Sequence, residues 1–473
     1  MSSSLSLSMV LAVLLMGTGA PAATSSAPAD RPNVLLIVSD DQRPDTIHAF
    51  GNPVIRTPHL DQLARNGTVF TRAVSPNPIC TPARAEIMTG CCGFRNGVTG
   101  FGGRIRSDVA LWARTFQQAG YHTWYVGKWH NDGRPSGRGY EESDGLFSGG
   151  GGRWPLTNPV DWKGRPVTGY RGWVFQTDDG RKFPEQGVGL TPNISEAFAD
   201  AAIRFIRRKP RRPFFLHINF TAPHDPLLWP RGYEGLYNPS DIPVPPNFLP
   251  EHPFDHGNLR GRDERLFAFP RTKQEVREEL AVYYAVITHM DAQIGRLLQA
   301  LAETGQIDNT LIIFTSDQGV AIGSHGLRGK QNMYEHTIGV PLILSGPGIP
   351  KGRRCGAQCY LRDLFPTTCE LVGLPVPASV QGKSLLPILR GERKKLYPYV
   401  FAYFRSCQRM VRTDRWKLIR YPQIDREQLF DLSADPFERH DLSGDPAHRD
   451  ILSRLRTLLV SAQKEYEDPL LQP

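Results

Sequence analysis

The residues in this chain able to do chemistry are a few acid pairs, one cysteine with a Thr-Pro behind it, and cations near histidines. Asp40-Asp41 follows the apolar run "NVLLIVS", His224-Asp225 comes shortly after "FFLHINF", and Asp317-Gln318 follows "TLIIFTS". Carboxylates and an amide oxygen are hard donors that suit Ca²⁺ or Mg²⁺. An Asp after a strand is also an ordinary turn residue, so one such pair would say little. Three at strand ends point to a common site. Residues 80–90 read "CTPARAEIMTG". Pro82 suits a first helical turn, which puts Cys80 at or near a helix N-terminus, where free N–H groups favour anions. Taken alone, Cys80 also reads as a buried structural thiol. Lys128 and His130 stand two apart in "GKWH", so on a strand they would share a face.

These residues need a scaffold, and the pattern supplies one. The runs at 33–40, 213–220, 310–317 and 340–346 are short, apolar and rich in branched side chains, the pattern of strands buried on both faces. Helix-like segments lie between them: "LWARTFQQAG", "SEAFADAAIRFIRRK" and the long "REELAVYYAVITHMDAQIGRLLQALAETG". Alternation of this kind predicts an α/β/α sandwich with a mostly parallel central sheet. Ligand sites of open α/β sheets lie at the carboxyl ends of strands, which is where the acids fall. Residues 150–190 and 225–272 read as long insertions over the sheet. From about residue 376 the pattern changes to short strand-like pieces and a final helix, a small C-terminal antiparallel sheet with a helix on it. The expected division is a leader over 1–23, a main domain over 31–375 and a small α+β unit over 376–473.

With 473 residues the chain has room for a large core. The net charge of +9 comes without a long basic run or an aromatic ladder, so nucleic-acid binding is not expected; either anionic substrates or plain surface solvation accounts for it. "LSLSMVLAVLLMGTGAPAA" is an apolar run followed by small residues, a secretory signal ending near Ala22 or Ala23. It lacks Lys and Arg before the run, which leaves a retained anchor as the alternative. No other stretch approaches the roughly 20 apolar residues of a membrane span. The expected location is secreted or periplasmic. Seven cysteines are few for this length, so disulfides do not hold the fold together, and Cys91 and Cys92 are read as packing residues.

"CTPARAEIMTG" resembles the first signature of the formylglycine-dependent sulfatases of the alkaline phosphatase superfamily, and "GYHTWYVGKWH" (120–130) resembles their second. The C-terminal "VRTDRWKLIRYP…LFDLSADPFERHDL" is similar to the small domain of that family, so the likeness covers most of the chain. Cys80, Pro82 and Arg84 match the positions read by the family's maturation enzyme, with Ala83 where Ser is commoner. The resemblance implies that Cys80 becomes formylglycine (3-oxoalanine), whose hydrate supplies one hydroxyl to attack sulfur and a second to expel sulfate. It further implies Ca²⁺, or Mg²⁺ as the alternative, held by Asp40, Asp41, Asp317, Gln318 and residue 80. Gln318 stands where the family more often has Asn or His. Arg84 and Lys128 are implied as charge-stabilising cations and His130 as the base that helps release sulfate. His224 and Lys330 are implied as sulfate contacts, one of them the proton donor to the leaving alcohol.

His325, in "GSHGLRGK", either touches substrate or stabilises its loop, and His336 is read as structural. Trp- and Arg-bearing segments at 150–190, with Arg260 and Arg262, suit a sugar ring and further anions. The expected activity is therefore hydrolysis of a sulfated carbohydrate. The alternatives are a phosphonate monoester or phosphodiester hydrolase of the same superfamily, and a non-catalytic metal-binding protein in which Cys80 is never matured.

Overall fold

In the strand at 33–39, successive side chains enter opposite cores: Val34, Leu36 and Val38 join one hydrophobic cluster, Leu35 and Ile37 the other. The same alternation holds at 311–314, with Leu311 and Ile313 on the first side and Ile312 and Phe314 on the second. A strand with two apolar faces is stable only between two layers, and each fully buried Leu, Ile or Val contributes about 1.5–3 kcal/mol. That arrangement is present in the computed structural model, which describes residues 31–149 and 153–471. The leader expected over 1–23 lies outside the described residues.

The main sheet has eleven strands: β1 (Asn33–Ser39), β2 (Gly67–Val74), β3 (His122–Lys128), β4 (Glu142–Gly149), β5 (Trp173–Gln176), β6 (Lys182–Val188), β7 (Phe214–Asn219), β8 (Thr310–Ser316), β9 (Gly339–Ser345), β10 (Arg353–Cys355) and β11 (Cys359–Tyr360). Their order is β10-β2-β9-β8-β1-β7-β3-β4-β5-β6, with β11 also on β2. The centre β8-β1-β7-β3-β4 is parallel. β9 runs antiparallel to both β8 and β2, and β5 and β6 close the far edge antiparallel. The sheet is thus mostly parallel, as the alternation predicts.

Helices cover both faces. Trp112 and Phe116 of Trp112–Gln118, with Leu364 and Phe365 of Leu364–Leu371, fill the first layer; Phe198 and Ala202 of Ile194–Arg207, with Ile294 and Leu297 of Lys273–Glu303, fill the second.

The C-terminal strands form a separate antiparallel sheet, β12 (Val400–Phe404), β13 (Gln408–Arg412), β14 (Trp416–Tyr421) and β15 (Arg426–Asp431), in that order. One face, with Met410 and Ile419, joins the main core; the other, with Val411, Leu418 and Leu429, is covered by Leu452, Leu455 and Leu459 of the helix Arg449–Glu465. Its seam with the main body carries a buried charge network: Glu335 accepts from Lys417 at 3.0 Å and pairs with Arg412, and Lys417 also reaches Glu438 at 2.6 Å. All seven cysteines are free and buried. Cys91 donates to the Ser379 carbonyl at 2.9 Å and Cys92 packs with Phe401 and Tyr403, both as packing residues.

Candidate active site

The carboxyl ends of β8, β1, β7 and β3 lie side by side in the sheet, and each delivers part of one cluster. Asp40 and Asp41 follow β1, Asp317 and Gln318 follow β8, Lys128 ends β3, and His224 lies five residues beyond β7. Cys80 is the first residue of the helix Cys80–Thr89, all ten residues of which are buried. Gly90 ends that helix in the left-handed region at φ 66°, which a glycine adopts without steric cost.

The cysteine sulfur is ringed by polar groups: Asp40 Oδ1 at 3.4 Å, and Gln318 Nε2 and Lys330 Nζ each at 3.3 Å. Lys330 donates to both oxygens of Asp41 at 2.8 and 2.7 Å, and Lys128 pairs with Asp40. Arg84 donates from Nε to Asp317 at 3.0 Å, and its Nη2 lies 3.5 Å from Asp40. His224 Nε2 lies 3.5 Å from Asp41. Three carboxylates, three cations, a histidine and the thiol thus share one buried volume.

Burial raises the pKa of a buried carboxyl, yet Lys128, His224 and Arg84 outweigh it at Asp40 and hold that group well below the usual range. Burial and the neighbouring Asp40 charge push Asp317 upward instead. The Cys80 thiol is pushed up to about 12 by burial and then by Asp40. It is a neutral thiol at physiological pH, and only the thiolate is a strong nucleophile. His130 is held well below the usual histidine range, by burial first and Lys128 second, and burial also lowers His224.

Buried polar atoms are nearly always paired, so unpaired ones need a reason. Gln318 Oε1, Arg84 Nη1 and His130 Nδ1 are all buried here without a hydrogen-bond partner. Asp40, Asp41, Cys80 and His224 offer ligand atoms all within 4.8 Å of one another. An orphaned amide oxygen beside converging carboxylates, one of them disfavoured as an anion, is the donor set of a hard-cation site. The residues therefore fit a divalent ion. His224 joins this cluster, whereas the resemblance implied it as a sulfate contact or proton donor.

A cavity of about 410 Å³ opens on Cys80, lined also by Lys128, His130, Tyr170, Trp173, His224 and Lys330. A larger hollow of about 690 Å³ near the helices Pro58–Arg65 and Lys273–Glu303 has Asp308 as its one lining carboxylate and carries no comparable chemistry. β3 ends at Lys128, so His130 is not on the strand; it still faces the cavity because its ring packs against Trp173 and Phe101 at 5.0 and 5.5 Å.

Three expectations need correction. His325 does not line the cavity: its ring stacks on Tyr334 at 3.8 Å, and its Nε2 pairs with Asn247, so it stabilises its loop. His336, expected to be structural, lies behind it, buried, with Tyr334 at 5.8 Å. Arg262 reaches the cavity but is not free for an anion, since it grips Asp225 through two bonds of 2.6 and 2.9 Å and pairs with Asp263. Arg260 lies over the Phe269 ring, outside the cavity lining.

Several contacts at the site were not read from the sequence. Tyr170 donates its hydroxyl to Asp40 from within the 150–190 segment. Asp225 lies 3.3 Å from His224 Nδ1, and Arg328 reaches Asp225 at 3.7 Å. Glu264 accepts from the backbone N–H of Arg328 and Gly329 at 2.7 and 2.8 Å, clamping the turn that carries Lys330. The His224-Asp225 dyad was readable; the basic and acidic partners from 262–264 have no motif around them.

The fold agrees with the comparisons with known proteins. Residues 32–374 match the family model for sulfatases, and residues 323–465 match that for the N-sulphoglucosamine sulphohydrolase C-terminal region. The chain belongs to the sulfatase family and is a sulfuric ester hydrolase.

Among curated relatives it is similar to an arylsulfatase of Clostridium perfringens, 30% identical with 93% of this chain and 95% of the relative covered. It is also similar to an N-acetylglucosamine-6-O-sulfatase of Bacteroides thetaiotaomicron, 28% identical with coverage of 93% and 87%. A solved structure in complex with its substrate D-glucosamine-2-N,6-O-disulfate superposes with a TM-score of 0.75 at 25% identity, covering 94% of this chain and 100% of the other. The phosphonate monoester hydrolase of Agrobacterium radiobacter shares the fold, with a TM-score of 0.75 at 23% identity and coverage of 92% and 96%.

Proposed function

We propose that this sulfatase removes sulfate from a sulfated carbohydrate, using a formylglycine formed from Cys80 and a divalent cation, Ca²⁺ before Mg²⁺. The observation that carries the reading is the state of Cys80: a thiol at a helix N-terminus, in contact with Asp40, Gln318 and Lys330, whose pKa near 12 makes it useless as a thiolate. Conversion to a hydrated aldehyde would supply hydroxyl groups for attack on sulfur and for release of sulfate. Asp40, Asp41, Asp317 and Gln318, with residue 80, would hold the cation, which supplies Lewis-acid polarisation of a sulfate oxygen.

The chain's own groups account for the rest. Arg84, Lys128 and Lys330 surround residue 80 with positive charge, where an anionic ester must lie as charge builds on its oxygens. His130, kept neutral, is the base beside the nucleophile. His224 is oriented through Nδ1 by Asp225, leaving Nε2 directed at the cluster as the donor for the leaving alcohol. Trp173, Tyr170 and Phe101 give the sugar its apolar wall. The apolar run near the N-terminus supports a secreted or periplasmic location; among the described residues no helix is long and apolar enough to cross a membrane.

The test is turnover by protein co-produced with a formylglycine-generating enzyme, measured on an aryl sulfate and a panel of sulfated glycans. Sulfate release from a glycan supports the reading. Activity confined to phosphonate monoesters or phosphodiesters overturns it.

A further inference from the structure

Four cations line the cavity over Cys80: Lys128, Arg262, Lys330 and Arg405. Three are neutralised where they stand. Lys128 pairs with Asp40, Lys330 with Asp41, and Arg262 with Asp225 and Asp263. Arg405 is exposed, and among the described residues its guanidinium makes no ion pair and no hydrogen bond; it lies only beside the Phe404 ring, at 5.1 Å. Among the described residues it is therefore the cavity's one uncompensated charge.

Arg405 comes from the small C-terminal sheet, and its position is fixed. Phe404 pairs with Gln408 across the β12–β13 hairpin, so residues 405–407 form a three-residue turn. Gln408, fully buried, donates to the Gln331 carbonyl at 3.0 Å and the His256 carbonyl at 2.9 Å. Gln331 directly follows Lys330 and also lines the cavity. The hairpin is thus tied by hydrogen bonds to the segment that carries a sulfate-binding cation. Arg405 itself adopts φ 44°, a left-handed conformation that glycine would take at lower cost. The turn keeps an arginine there against its local preference.

We propose that Arg405 is a specificity-determining residue that binds a second anionic group, a sulfate or carboxylate, on the sugar whose ester lies over Cys80. This rests on the sulfatase reading above. An arginine fork matches either anion through two parallel N–H bonds. The preferred substrate class is therefore a sugar carrying at least one negative charge besides the scissile sulfate.

The probes are N-sulfoglucosamine 6-sulfate, with two anions, and N-acetylglucosamine 6-sulfate, with one, alongside 4-nitrophenyl sulfate. The mature wild type is expected to favour the two-anion sugar in kcat/KM by about tenfold or more. Arg405→Gly, which relieves the backbone and removes the cation, should erase that preference mainly through KM, leaving 4-nitrophenyl sulfate turnover within about twofold; Arg405→Lys should keep part of it. Equal turnover of the two sugars by the wild type, or equal losses on all three probes in Arg405→Gly, overturns the proposal. Calorimetric binding of the two sugars to Cys80→Ser protein reads the same contact without turnover. If the wild type cleaves no sulfate ester yet Cys80→Ser binds the two-anion sugar through Arg405, the activity reading fails and the anion subsite stands. If that binding is indifferent to Arg405, the subsite fails.

Discussion

The ammonium of Lys330 lies 3.3 Å from the sulfur of Cys80 while donating to both carboxylate oxygens of Asp41. Burial works against its charge, but the Asp41 carboxylate outweighs burial and holds its pKa well above that of a free lysine. Lys330 is a permanent cation at residue 80. It is suited to stabilising charge that builds on the ester oxygens.

Lys330→Met should lower kcat by about 10²–10³, the range seen when one charge-stabilising donor is removed, with little loss of folded protein. Lys330→Arg should recover part of it. Retention of near wild-type kcat in Lys330→Met, checked with 4-nitrophenyl sulfate, would contradict the assignment.

Cys80→Ala should abolish turnover and leave circular dichroism and the thermal transition near those of the parent. The peptide spanning residue 80 in active protein should be about 18 Da lighter than the cysteine form, the mass signature of the aldehyde. A loss of folding in Cys80→Ala would return the cysteine to a structural role.

Chelation of divalent ions should abolish activity, and Ca²⁺ should restore it and raise the melting temperature. A ligand at 100 times its Kd stabilises the native state by about 2.7 kcal/mol. Asp41→Asn should lose that Ca²⁺-dependent stabilisation. An identical shift in parent and variant would place the ion elsewhere.

Asp225→Asn should act through His224. Arg262 and Arg328 lose the charge of their shared carboxylate, and the imidazole loses the negative charge 3.3 Å from Nδ1 while keeping its bond to the backbone carbonyl of residue 225. The expected cost is about 10–100-fold in kcat, smaller for aryl sulfates, whose leaving groups need less protonation. An equal loss for aryl and sugar esters would show a merely structural effect.

The pH profile has a predicted sign. Burial and Lys128 depress the pKa of His130, so its neutral, proton-accepting form persists below the ordinary histidine value of about 6.5. The acid limb of kcat should fall below that pH and disappear in His130→Gln, leaving a slow, flatter profile. An acid limb above neutrality in the parent would exclude His130 as the base.

What could be read from sequence follows a physical divide. β1 and β8 were legible because strands buried on both faces must be apolar throughout, and the acids after them were legible because they break that run. Cys80, Arg84, Lys128 and His130 lie in contiguous signatures. Tyr170, Asp225's partner Arg262, the Glu264 clamp and Arg405 approach from segments 37 or more residues away in sequence from the groups they serve. No local pattern marks them. Arg262 shows the limit most plainly: its charge was read correctly as near the site, but the carboxylates that consume it were invisible until the chain was folded. His325 erred the other way, since a glycine-rich neighbourhood near Lys330 suggested access that stacking on Tyr334 removes.

The helix that begins at Cys80 is buried along its whole length, and Cys80 is 1% exposed. Only what fits the narrow cavity over it can then reach the residue, which excludes the active site of another protein once the sheet has closed over it. If another protein alters this side chain, it must do so while the segment is still an extended strand of unfolded chain, and folding then locks in whichever version exists. Timing during synthesis, rather than any later encounter, would set the active fraction of a preparation, and adding the maturation enzyme to folded thiol protein should not raise it.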